Sequence, residues 1–143
     1  MAPNIPPMIG PVLGLAGWTF VMESWMYAYR LPDLQKYKVK VNPSMSKADM
    51  NSQIPRHRQF PADNYDHLHE QPTVFYAVAL SLAFMEADDR VTVGLAWGYV
   101  AMRVVHSLLQ ATTNVIPRRF VAFATSSLIL LGLTGRAAQR CFF

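Results

Sequence analysis

AWGYVAMRVVHSLLQATTN, residues 96–114, decides how this chain is read. The stretch is apolar enough to span a bilayer, yet Arg103 sits near its middle. At 1.5 Å rise per residue, Arg103 lies roughly 18 Å from Val91 and roughly 13 Å from Thr112. A charge at that depth costs about 2.5–3.5 kcal/mol on insertion scales, so it calls for a partner, a water-filled cavity or a function. His106, Ser107, Gln110 and Asn114 follow Arg103 at helical spacing, and all five project from one face.

Composition supports a membrane setting. Of the 143 residues, 52% are hydrophobic and only 15% charged, and the length suggests one domain. The net charge of +4 does not point to nucleic acid, because Lys and Arg sit in loops beside apolar runs with no basic array interleaved with aromatics. The single cysteine, Cys141, cannot form an intrachain disulfide, and no Cys/His spacing suggests a metal. The opening MAPNIPPMIG lacks the basic start of a signal peptide, and the apolar run after it is too long for one.

That run, from Met8, is long enough to cross and follows Pro6 and Pro7, where proline suits a helix start. Trp25 and Tyr27 fit an interfacial belt. Residues 31–64 are polar and contain four prolines, reading either as a solvated linker or as a segment with local structure. Pro72 to Met85 gives only 14 apolar residues, short of the roughly 20 needed. The second helix must therefore start near Tyr65, with Pro72 as an internal kink. Asp63, Asp66, His67 and Glu70 then make a second polar face. The expected fold is an all-α, four-helix transmembrane bundle in one domain, with helices near 8–30, 65–86, 91–113 and 119–138. Loops one and three hold nine Lys and Arg against three on the other side, which puts both longer connections on the cytoplasmic or equivalent face. The Asp63/His67/Glu70 and Arg103/His106/Gln110 stripes then share one half of the bilayer and can meet in a polar pocket.

Arg103 in that pocket has two readings. It pairs with Glu23 or Glu70 and locks the bundle, or it helps Arg119 form an anion site. A cation beside a thiol favours the nucleophilic thiolate.

ADNYDHLHEQPTVFYAVAL, then LAWGYVAMRVVHSLLQATTN and PRRF, resemble the MAPEG family, the membrane-associated proteins in eicosanoid and glutathione metabolism. WMYAYRLP is similar to the start of bacterial-type members. The resemblance covers nearly the whole chain. It implies a homotrimer in the lipid bilayer, with glutathione bound between subunits near the cytoplasmic face. It implies a glutathione-dependent transferase or peroxidase acting on lipophilic electrophiles. By the same resemblance Arg119 stabilises the thiolate, and Glu70, His67, Arg103, His106 and Gln110 bind glutathione or substrate. No metal or nucleic acid enters this reading, and the sequence leaves open which membrane holds the chain. His67 stands where the family has asparagine, and Gln110 where some members have tyrosine. Asp63 and Asp66 stand where family arginines grip glutathione, so weak glutathione affinity is expected. The other function compatible with these departures is a non-catalytic accessory subunit of a larger membrane complex.

Overall fold

A computed structural model describes residues 5–143; Met1 to Asn4, the start of the stretch read above against a signal peptide, lie outside the described residues. The elements are α1 (Ile9–Lys36), α2 (Lys47–Ser52), a 3₁₀ turn (Arg56–Arg58), α3 (Phe60–His67), α4 (Gln71–Phe84), α5 (Arg90–Ala111) and α6 (Ile116–Phe142), with no strand among the described residues. α3 and α4 together take the place of the second helix, giving an all-α bundle of four. α1 packs on α3, α4 and α5, and α6 packs on α4 and α5. The core seam is fully buried: Leu15 and Met22 of α1, Phe75 and Leu82 of α4, Tyr99 of α5 and Leu133 of α6. Phe75 and Tyr99 stack with ring centroids 4.4 Å apart.

The outward faces are as apolar as the seam. Leu13, Phe20, Phe120, Leu128 and Leu131 are all exposed. Water disfavours so large an apolar surface, whereas a bilayer solvates it. α5 and α6 are each long and apolar enough to cross. α1 approaches α5 closely because Gly10 and Gly14 leave room for the Trp97 ring, which would lie 3.0 Å from a Cβ at position 14.

The second helix is broken rather than kinked. Proline has no N–H and its ring crowds the carbonyl four residues back, here that of Leu68. α3 accordingly ends at His67, residues 68–70 turn, and α4 starts afresh at Gln71 with Pro72 in its first turn, where proline is well tolerated. The expected helix over 65–86 is thus two helices. α1 runs six residues past the expected end at 30, to Lys36, with Pro32 inside it. α6 exceeds 119–138 at both ends.

The 31–64 connection is structured. Ser46 caps α2 reciprocally with Asp49: the Asp49 N–H donates to Ser46 Oγ at 3.1 Å, and the Ser46 N–H to Asp49 Oδ2 at 3.0 Å. The Ser46 hydroxyl, which donates to Asp49 Oδ2 at 2.7 Å, and then the Ser46 N–H hold the Asp49 carboxyl below its ordinary value. Arg58 forks onto the buried Asp33 carboxylate at the end of α1, with Nε to Oδ2 at 2.8 Å and Nη2 to Oδ1 at 2.9 Å. Its guanidinium also lies 4.1 Å from the Tyr29 ring centroid. This buried, bidentate pair fixes the segment to α1. At the other end of the bundle Asp89 caps α5, accepting from the Val91 and Thr92 N–H groups, and receives Arg136 Nη2 at 2.7 Å.

Candidate functional site

The break at residues 68–70 frees backbone carbonyls, and Arg103 answers one of them. Its Nη2 donates to the His67 carbonyl at 3.0 Å, while Nη1 makes a long contact of 3.5 Å with Gln71 Oε1. The residue is 1% exposed, and its guanidinium carbon is 5.9 Å from the Phe123 ring centroid. The expected pairing of Arg103 with Glu23 or Glu70 is not what forms. No carboxylate bridges to it among the described residues, and Glu70 instead lies 3.1 Å from His67 Nδ1, mostly exposed. The His67 carbonyl otherwise receives only a long 3.4 Å bond from the Glu70 N–H, which leaves it free to accept the guanidinium as well.

Two cavities flank this point. The polar one, about 230 Å³, is walled by Asp63, Asp66, His67 and Glu70 at the α3–α4 break, Gln110 of α5, Arg119 of α6 and Arg56 of the 3₁₀ turn. The second, about 360 Å³, lies among His67, His106, Ile116, Arg119, Phe120 and Phe123 and is mainly apolar. His67 and Arg119 belong to both. Of the expected site residues, His67, Glu70, Gln110 and Arg119 therefore share the polar cavity, and His106 lines the apolar one. Arg103 lines neither; it holds the helix break from behind. The His67 and His106 rings are 6.0 Å apart, and His106 is 6.1 Å from Phe123.

Asn114 orients Arg119. It follows α5 in the left-handed region at φ 52°, a conformation asparagine tolerates, and its Oδ1 accepts from Arg119 Nη1. Arg119 Nε and Gln110 Oε1 are buried with no hydrogen-bond partner among the described residues.

The acids expected to repel an anion are already engaged. Arg56 bridges to Asp63 at 2.5 Å, and Lys47 bridges to Asp66. Both cations come from the 31–64 segment, so the charge reversal on the second helix is answered by the chain that precedes it.

The MAPEG family description matches residues 8–139. The chain belongs to the MAPEG family. No curated protein and no solved structure matches it. MAPEG membership and the apolar outer faces together place the bundle in a lipid environment.

Gln71 is a site residue that the polar stripes did not single out. Its Nε2 donates to Ser127 Oγ at 2.7 Å, and its Oε1 faces Tyr99, Arg103 and Ser126 at 3.4–3.5 Å. It ties α4 to α5 and α6 at the level of the break. The available signal was its position directly before Pro72, at the first turn of a new helix.

Proposed function

We propose that this MAPEG protein is a thiol-dependent transferase or peroxidase acting on lipophilic electrophiles. The observation that carries the reading is that Arg119 and His67 line a polar and an apolar cavity at once. A polar thiol and an apolar partner held on either side would meet at one guanidinium. Arg119 favours the anionic sulfur by charge and hydrogen bonding, and Asn114 keeps it aimed. Bringing the two reactants together removes much of the entropic part of the barrier. Phe120 and Phe123 supply the apolar wall for the electrophile.

Glutathione is the thiol expected by resemblance, and it would supply the nucleophilic sulfur. The residues fit it in part. Arg119 suits the sulfur, Arg56, already bridged to Asp63, would share its guanidinium with a carboxylate, and the Gln110 side-chain amide lines the same cavity. In this reading all four rods cross the membrane, the basic connections face the cytoplasmic or equivalent side, and three copies assemble.

The test is conjugation of 1-chloro-2,4-dinitrobenzene, and reduction of a lipid-soluble hydroperoxide, by purified protein in detergent with glutathione or cysteine as the thiol. Turnover that falls at least tenfold in Arg119→Leu supports the proposal. No turnover with any thiol, from protein that retains its melting transition, overturns it in favour of a non-catalytic MAPEG-fold subunit of a larger membrane complex.

A further inference from the structure

The thiol reading leaves one proton without a destination, and the inference drawn here rests on that reading. An arginine stabilises a thiolate but cannot accept the proton that forming one releases. A free thiol, with its pKa of about 8.5, is mostly protonated at neutral pH. Some other group at the site has to take the proton.

His67 is placed to do so. Its carbonyl is held by Arg103 Nη2 at 3.0 Å, and its ring stands edge-on to His106 with centroids 6.0 Å apart. These contacts hold the residue at the wall that both cavities share with Arg119. Its two ring nitrogens have different surroundings. Nδ1 is buried and lies 3.1 Å from Glu70 Oε2. Nε2 makes no hydrogen bond among the described residues and is not buried, so a ligand at that wall can reach it. Arg119 divides in the same way. Its Nη1 donates to Asn114 and its Nε is buried, whereas Nη2 is unbonded and accessible. A guanidinium from α6 and an imidazole nitrogen from the end of α3 therefore reach the same cavities. The Glu70 carboxylate favours a proton on Nδ1, which leaves the Nε2 lone pair free, and it stabilises the imidazolium that forms when Nε2 is protonated. Arg103, Arg119 and His106 oppose that charge, and a thiolate formed beside them offsets the opposition.

We infer that His67 is the base that takes the proton of the bound thiol on Nε2, with Glu70 as its positioning residue. The S–H bond breaks, an Nε2–H bond forms, and the electron pair stays on sulfur beside Arg119. With an aryl chloride, sulfur bonds to the ring carbon, chloride leaves with the C–Cl pair, and His67 gives its proton to water. With a hydroperoxide, sulfur bonds to the terminal oxygen and the O–O bond breaks. The departing alkoxide then takes the proton from His67, so that sulfur is oxidised and the peroxide reduced.

Proton release and thiolate absorbance, recorded together as glutathione is added near pH 7.5 to the full-length protein in weakly buffered detergent with an indicator dye, test this. The parent should release fewer than about 0.3 protons per thiolate formed, because His67 retains the proton. His67→Asn keeps the carbonyl that Arg103 holds and removes the base, so it should release about one proton per thiolate. An unchanged melting temperature verifies its fold, and the parent count decides by itself if the variant unfolds or forms no thiolate. About one proton per thiolate in the parent, or as few in His67→Asn as in the parent, overturns the inference and leaves the Arg119 thiol site standing. No thiolate band in the parent at saturating glutathione overturns the thiol reading together with this inference.

Discussion

Arg103→Leu separates the observed role of this arginine from the ion pair its sequence position suggests. The substitution removes the 3.0 Å donor to the His67 carbonyl and leaves that acceptor with only the 3.4 Å bond from the Glu70 N–H, beside a break that Pro72 prevents from closing. A hydrogen bond from a charged group contributes about 1.5–3 kcal/mol. Eliminating a buried cation offsets part of the loss, and replacing whole buried pairs is often neutral. Here the carbonyl stays behind, so destabilisation dominates. At roughly 2–4 °C per kcal/mol for a chain of this size, the melting temperature should fall by about 3–12 °C. The assay is thermal unfolding of detergent-purified protein, run as two double-mutant cycles. With Glu70→Gln the effects should add within about 0.5 kcal/mol, because no ion pair links the two residues. With Pro72→Ala the Arg103→Leu cost should shrink, because an N–H at position 72 lets the helix close and satisfies the freed carbonyls internally. Rescue by Glu70→Gln, together with no coupling to Pro72→Ala, would refute the carbonyl role and restore the ion pair.

Asp33→Ala should cost about 2–4 kcal/mol by stranding Arg58, and limited proteolysis should then cut within 31–64 faster than in the parent. Asp89 is held below its ordinary carboxyl value by the Thr92 hydroxyl and then by Arg136. A depressed folded value means its contribution is complete above about pH 4 and is lost as pH falls below that, so the melting temperature of Asp89→Asn should decline less than the parent's between pH 5 and pH 3. Gly14→Ala should destabilise by about 1–3 kcal/mol through the clash with Trp97, and Trp97→Leu in the same chain should recover part of that loss in the same melting assay.

The polar stripe was legible because helical periodicity alone puts Arg103, His106, Ser107 and Gln110 on one face, and all four are buried. The short apolar run after Pro72 correctly signalled an unusual second helix. Whether proline kinks or ends a helix depends on what satisfies the carbonyls before it, and here local turn bonds are joined at His67 by a guanidinium more than thirty residues away. Arg103's partner was missed for the same reason: backbone acceptors leave no mark in the pattern of side chains. Asp63 and Asp66 looked repulsive as long as the 31–64 segment was read without a fold. Only with Arg58 fixed on Asp33 does that segment deliver Arg56 and Lys47 to them.

Ultraviolet difference absorbance of the thiolate, recorded when thiol is added to the protein near pH 7, bears most directly on Arg119 as the point where the two cavities meet. A thiolate band should appear with the parent protein and be absent with Arg119→Leu when the thiol concentration for each is set to give equal occupancy in dialysis. A band of equal size in Arg119→Leu, or no band in the parent at saturating thiol, would contradict the role given to Arg119.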